Sequence, residues 1–112
     1  MDMKLGLKLA NNKEDLAEEM LEMLFNALQK DKDTIRVLLE DEDYETLQEV
    51  VHKLHGATRY TGVPFLQEAS QVLEENLKLE KFEAVKVLTN ALLNEIERVI
   101  GWCEQNRDMA AH

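Results

Sequence analysis

Apolar residues recur every three or four positions along most of this chain, which is the spacing of one face of an α-helix. Four long stretches show this pattern, separated by short polar breaks, at about 13–40, 44–60, 64–79 and 82–106. A shorter apolar stretch at 3–10 precedes them. No stretch alternates strictly between apolar and polar residues, as a strand would. We therefore predict an all-α fold, an antiparallel up-down four-helix bundle with a short extra N-terminal helix.

Particular residues mark where the long helices begin and end. Asn12 and Asp43 are suited to cap the first turns of the first and second long helices. Pro64 fits the first turn of the third, and Gly62 is placed to end the second in a left-handed conformation. The charged residues 30–33 interrupt the first apolar stripe without Gly or Pro, which leaves open whether that stretch is one helix or two.

The length and composition fit one globular domain. The chain has 112 residues, of which 45% are hydrophobic and 32% charged. We assign residues 1–112 to a single domain, with the short helix at 1–11, the bundle at 12–107 and a frayed tail at 108–112. Leu21 and Phe25 lie off the centre of the first apolar stripe, and we expect the N-terminal segment or a partner to cover them.

The net charge and the single cysteine limit which partners and which cellular location we expect for this chain. A formal net charge of -10 argues against binding to nucleic acid or to an anionic membrane surface. The chain has no apolar run of about 18 residues and no signal-peptide pattern, so we expect a cytoplasmic protein without membrane contact. Cys103 excludes an internal disulfide, and its phase with the apolar residues of the last helix predicts that it is buried.

The second long helix carries the candidate chemistry. Its core side is predicted to hold Leu47, Val50, Leu54, Ala57 and Thr61. A polar face opposite holds Gln48, His52, His55, Gly56 and Arg59. Glycine inside a helix costs about 1 kcal/mol relative to alanine. Gly56, one turn after His52, therefore suggests a gap through which a bulky group reaches the imidazole, although a tolerated surface glycine is the alternative.

The residues of this polar face can be compared with those of a metal site and of a catalytic site. Glu49 and His52 have the spacing of half a di-iron site, but the chain lacks a second such pair, and no third ligand joins His52 and His55 in a zinc site. We expect no metal site. The chain also lacks a Gly-rich phosphate loop and a recognisable nucleophile and base, so it has no nucleotide-binding kinase core of its own.

A solvent-facing imidazole can itself be the reactive group, since a neutral ring nitrogen is a nucleophile at neutral pH. His52 would then hold a phosphoryl group as a phosphoramidate. His55 or Arg59, when charged, could donate hydrogen bonds to the phosphoryl oxygens, and Gln48 could supply an amide donor. For each of these supporting residues, ordinary solvated surface is the alternative interpretation.

The segment His52-Lys53-Leu54-His55-Gly56-Ala57, with Gly62 following, resembles the motif of histidine-containing phosphotransfer (HPt) domains. The resemblance is strongest to the C-terminal domain of BarA-type hybrid sensor kinases. It includes the Tyr-x-Gly-Val-Pro run at 60–64 and the Leu-Ala-x-x-Met-Leu-x-Met-Leu run at 16–24, and it covers nearly the whole chain.

The resemblance implies a role in a phosphorelay of two-component signal transduction. His52 would accept a phosphoryl group from an aspartate of a receiver domain in the parent kinase and pass it to an aspartate of a response regulator. Gly56 would match the small residue that gives the receiver access. His55 stands where many members carry Lys, and many members place a Gln in the next helix, near Gln71 and Glu74 of this chain.

The resemblance also implies that the chain needs no cofactor, that the receiver supplies Mg²⁺, and that the chain is a monomer. It favours a piece of a larger kinase, with a freestanding transfer protein of this size as the alternative. The competing hypothesis is a helical adaptor that binds a partner protein through the His52 face without being phosphorylated. The two hypotheses differ in whether His52 carries a labile phosphoryl group.

Overall fold

The computed structural model describes residues 2–9 and 14–110, and these residues form helices without any strand. The elements are α1 (Met3–Leu9), α2 (Glu14–Glu40), α3 (Tyr44–Thr58), α4 (Pro64–Lys78), a 3₁₀ turn (Phe82–Ala84) and α5 (Val85–Ala110). The prediction of an all-helical chain with a short first helix is therefore confirmed. The charged residues 30–33 do not interrupt α2, which is one continuous helix.

The long helices pack around a common apolar core. Helix α3 packs against α2 and α4, and α5 packs against α2 and α4, so that each long helix has two neighbours among the others. The antiparallel up-down order of these helices stays a prediction. The largest fully buried side chains are Leu24, Leu28, Ile35, Leu47, Leu54, Leu66, Leu73, Leu77, Leu92, Ile96, Val51 and Val85.

Several sequence-based assignments match the structure. The Asp43 carboxylate accepts a hydrogen bond from the Thr46 backbone N–H at 3.2 Å and caps α3, and Pro64 opens α4. Cys103 is buried in α5. Phe25 belongs to the core and Leu21 packs against it, whereas the prediction that the N-terminal segment or a partner covers them stays a prediction. Asn12, the proposed cap of the first long helix, lies outside the described residues.

The face that α3 turns to the core differs from the predicted one. Val51, His55 and Thr58 are buried together with Leu47 and Leu54, whereas Ala57 is exposed and Val50 only partly buried. The observed core side is therefore shifted towards Val51 and His55, on the side of α3 that meets Glu74 of α4. One position on a helix is about 100° of rotation, so the edges of a stripe depend on where the neighbouring helix lies.

The role predicted for Gly62 is wrong. Helix α3 ends at Thr58, and among the described glycines none has positive φ. Gly62 is instead needed for close packing against the start of α1. Its carbonyl oxygen accepts a hydrogen bond from the Asp2 N–H at 2.7 Å. A Cβ at Gly62 would overlap the Asp2 carbonyl oxygen and lie 2.8 Å from the Gly6 nitrogen. The start of α1 thus docks on the turn between α3 and α4.

The C-terminal helix extends further than expected. The sequence predicts an end near Asn106 and a frayed tail at 108–112, whereas α5 continues to Ala110. The last two residues of that tail lie outside the described residues.

Candidate functional site

His52 lies in the second half of α3 with its side chain 68% exposed. Gly56 follows one turn later on the same side of the helix, and a Cβ at this position would meet no atom of residues 2–9 and 14–110 within 4 Å. Packing among these residues therefore does not require glycine at position 56. A side chain at this position would instead occupy space beside the imidazole, as expected if Gly56 keeps the approach to His52 open.

A carboxylate from α4 forms a hydrogen bond with one nitrogen of the His52 ring. The Nδ1 atom of His52 lies 3.0 Å from Oε2 of Glu74, and the Glu74 side chain is only 7% exposed. An ionised carboxylate has no proton to donate, so the ring nitrogen must be the donor. Neutral His52 therefore carries its proton on Nδ1, which leaves the lone pair on Nε2.

The predicted exposure of His55 is wrong. The sequence predicts this residue on the polar face as a donor to phosphoryl oxygens, but its side chain is only 10% exposed. Its Nδ1 atom lies 3.3 Å from Oε1 of the same Glu74 carboxylate. Because this nitrogen faces a buried carboxylate, it is not available to an incoming phosphoryl group.

Glu74 is thus shared by three cationic or potentially cationic groups. The third is Lys78, whose Nζ lies 3.6 Å from Oε1 and whose side chain is 53% exposed. Burial raises the pKa of the Glu74 carboxyl, but the hydrogen bonds from His52 and His55, with the charge of Lys78, outweigh it and leave this pKa below its usual value. Glu74 is therefore ionised at neutral pH.

The other predicted supporting residues are not joined to this cluster. Arg59 is exposed just after α3, where its backbone N–H donates to the Gly56 carbonyl at 3.3 Å. Gln48 is partly buried. Within residues 2–9 and 14–110, no hydrogen bond or ion pair links either side chain to His52. Their roles stay predictions.

The arrangement of the side chains and the length of the helices bear on the kind of site this is. In the part of the chain that the structure describes, no group of three or more His, Cys, Asp or Glu side chains is arranged to hold a metal ion. Although two imidazoles and a carboxylate meet here, both Nδ1 atoms point at the carboxylate itself. None of the described helices is both long and apolar enough to cross a membrane.

Sequence reasoning did not assign Glu74 a role, although a signal for it was present. The buried positions of α4 are Leu66, Ser70, Leu73, Glu74 and Leu77. Glu74 therefore falls between Leu73 and Leu77 in the helical phase of the apolar residues. A carboxylate in such a position needs a hydrogen-bonding or charged partner, and the neighbouring helix offers two histidines.

Comparison with known proteins places the chain in a family. The family model described as "Hpt domain" matches residues 19–102, which include the whole of α3 and α4. The chain belongs to the Hpt domain family. It is 42% identical over 100 residues to the sensor protein GacS of Pseudomonas syringae pv. syringae, covering 89% of this chain and 10% of GacS. It is 35% identical over 100 residues to the histidine-protein kinase BarA of Escherichia coli K12, covering 88% of this chain and 11% of BarA.

Solved structures agree with the assignment to the Hpt family. The crystal structure of an HPT domain from a Shewanella sensor hybrid histidine kinase matches with a TM-score of 0.92 at 34% identity, covering 97% of this chain and 94% of that one. Phosphotransfer protein HptB from Pseudomonas aeruginosa matches with a TM-score of 0.81 at 18% identity, covering 97% and 95%, which shows a shared fold. This Hpt chain spans only about a tenth of the curated kinases it matches.

Proposed function

We propose that this Hpt domain is a phosphorelay intermediate and that His52 accepts and donates the phosphoryl group. One observation carries the proposal: the exposed His52 imidazole has its Nδ1 bound to the buried carboxylate of Glu74. That contact directs the lone pair of the neutral ring to Nε2, the nitrogen that does not face Glu74.

The proposed transfer needs no proton to leave the ring. The Nε2 lone pair attacks the phosphorus of an aspartyl phosphate on a receiver domain and forms the N–P bond. The P–O bond to the aspartate breaks, and its electron pair stays on the aspartate carboxylate. The ring keeps its Nδ1 proton and becomes positively charged, and the ionised Glu74 carboxylate stabilises that charge, as a buried acid does for a catalytic histidine. The reverse steps deliver the phosphoryl group to a second aspartate.

The receiver would supply the rest of the reaction centre. Phosphoryl transfer depends mainly on positioning and on neutralisation of charge, and we propose that the receiver brings the aspartate and a Mg²⁺ ion while this chain presents the nucleophile. Gly56 would leave room beside His52 for the receiver surface. Arg59, exposed just after α3, is the predicted cation within the same region.

The similarity to GacS and BarA suggests where this domain works. We propose that it is the phosphotransfer part of a hybrid sensor kinase, that it acts as a monomer in the cytoplasm, and that its partners are a receiver of that kinase and a response regulator. It would require no cofactor of its own.

The test is phosphoryl transfer from a receiver domain charged with acetyl phosphate in the presence of Mg²⁺. Wild type and His52→Gln are compared by intact mass, and the product is treated with acid and with alkali. We expect wild type alone to gain one phosphoryl group, labile in acid and stable in alkali, as a phosphoramidate is. Lys53→Gln is a matched control on the same turn and should still accept the group.

The contrary result would favour the adaptor hypothesis. If neither protein gains mass with any of several receivers, phosphotransfer through His52 is refuted. If wild type and His52→Gln are phosphorylated equally, the acceptor is a different residue. An adaptor would bind its partner equally well with glutamine at position 52, which a pull-down with the two proteins measures.

A further inference from the structure

Each oxygen of the buried Glu74 carboxylate contacts one of the two histidines of α3. His52 hydrogen-bonds to Oε2 at 3.0 Å, and His55 hydrogen-bonds to Oε1 at 3.3 Å. Both contacts use Nδ1, so both rings carry a proton on that nitrogen while Glu74 is ionised. The proposed nucleophile and a buried second histidine are thereby linked through one side chain of the neighbouring helix.

His52 alone cannot hold this carboxylate firmly in place. Its side chain is 68% exposed, so water competes for its donor, and Lys78, the other partner of Oε1, is 53% exposed and 3.6 Å away. His55 is the one buried donor among these three. A buried carboxylate that loses a buried donor either takes up a proton or turns towards water. Either change weakens its hold on His52.

We propose that His55 is a positioning residue for phosphotransfer, which acts through Glu74 to hold His52 in the tautomer with its lone pair on Nε2. This inference rests on the proposed function of His52 and adds a role that differs from direct contact with the phosphoryl group. His55 keeps the carboxylate ionised and oriented, and the carboxylate in turn orients the reactive ring.

No other charged group in the described residues contacts Glu74. From α3 the partners are the two histidines, and from α4 itself the partner is Lys78. The ion pairs of α5 join Glu97 to Lys32 and Arg36 of α2, and Glu95 to Arg98 within α5. The link between His55 and His52 therefore passes through Glu74 without a competing charge from α5.

Three variants separate a positioning role from simple filling of space. His55→Leu removes the donor and keeps a side chain of similar bulk. His55→Asn restores a side-chain N–H close to where Nδ1 lies, because the asparagine amide nitrogen is the same number of bonds from the backbone. Lys53→Met is the matched control, since it removes an exposed lysine of α3 that contacts neither Glu74 nor His52 among the described residues.

Two measurements are made on the purified domain. The first is the rate of His52 phosphorylation by phosphoramidate, a small donor that does not depend on receiver docking. The second is the ¹⁵N shift of the ring nitrogens, which reports the tautomer of each histidine. His55→Leu should slow phosphorylation roughly three- to tenfold and raise the fraction of His52 protonated on Nε2. His55→Asn should return to within about twofold of wild type, and Lys53→Met should change the rate less than about twofold.

The inference is overturned if His55→Leu keeps both the rate and the His52 tautomer of wild type, or if His55→Asn is as slow as His55→Leu. It is also overturned, without any variant, if the wild-type ¹⁵N spectrum shows His55 protonated on Nε2 alone. That spectrum decides the question even if His55→Leu does not fold. If wild-type His52 accepts no phosphoryl group from phosphoramidate or a receiver, the proposed function fails, while the tautomer measurement still tests the link between the two histidines.

Discussion

Two glycine-to-alanine substitutions in this chain should change stability in opposite directions. Gly56 lies inside α3, and a Cβ there meets no atom of the part of the chain that the structure describes within 4 Å. Gly62 lies in the turn after α3, where a Cβ would overlap the Asp2 carbonyl oxygen and lie 2.8 Å from the Gly6 nitrogen. The same chemical change therefore adds a methyl group to open space in one case and to packed backbone in the other.

The expected magnitudes follow from these surroundings. Gly56→Ala should stabilise the fold by about 1 kcal/mol, because alanine loses less backbone entropy in a helix. Gly62→Ala must push α1 away from the turn. It then loses the 2.7 Å hydrogen bond from Asp2 N–H to the Gly62 carbonyl or strains the backbone, at a cost of about 2 kcal/mol. The two variants should thus differ by about 3 kcal/mol, or roughly 12 °C in Tm for a domain of this size.

Thermal and urea unfolding followed by circular dichroism measure the global effect, and amide hydrogen exchange measures the docking of α1. A helix of seven residues does not persist by itself in water, so the amides of α1 should exchange much faster in Gly62→Ala than in wild type. Unchanged Tm together with unchanged exchange in α1 would refute the close contact at Gly62. A loss of stability in Gly56→Ala would refute the open surroundings assigned to position 56.

Three further predictions concern the site and the core. Gly56→Arg should slow phosphoryl transfer from a receiver at least roughly tenfold but leave phosphorylation by phosphoramidate within about twofold, because the large side chain blocks a protein and not a small donor. Equal slowing with both donors would contradict this reason. Because the pKa of Glu74 is lowered in the folded state, its ionised form stabilises the fold above the usual carboxyl value of 4.5, and this contribution is lost as pH falls through the lowered pKa. Glu74→Gln should therefore flatten the acid dependence of the unfolding free energy measured in urea, whereas Glu75→Gln, at the exposed next position, should change it less. An unchanged slope in Glu74→Gln would show that the carboxylate is not stabilised by its partners. Thr89→Val should raise the unfolding free energy by about 1 kcal/mol, because the Thr89 hydroxyl is fully buried and has no hydrogen-bond partner in the described residues; a decrease would indicate that it has one.

The local features of this chain could be predicted from the sequence because their causes lie within a few residues. The apolar spacing determines that the segments are helical. The Asp43 carboxylate marks a helix start because it accepts a hydrogen bond from the backbone three residues later, and Pro64 marks one because its ring fixes the backbone angle φ. The candidate phosphoryl acceptor could also be identified from the sequence, since His52 stands in a recognisable motif with Gly56 one turn away. Each of these assignments needs no knowledge of what packs against the helix.

Which of the two histidines is exposed, and which side chain each contacts, depends on how α3 and α4 pack together. His52 and His55 are three positions apart on one helix, and the position of α4 determines that one faces water and the other is buried. Their shared partner Glu74 is 22 and 19 residues away in sequence. Gly62 is required by the distant Asp2 backbone rather than by its own turn. Contacts of this kind depend on how helices approach one another, and the apolar periodicity of a single helix does not determine that approach.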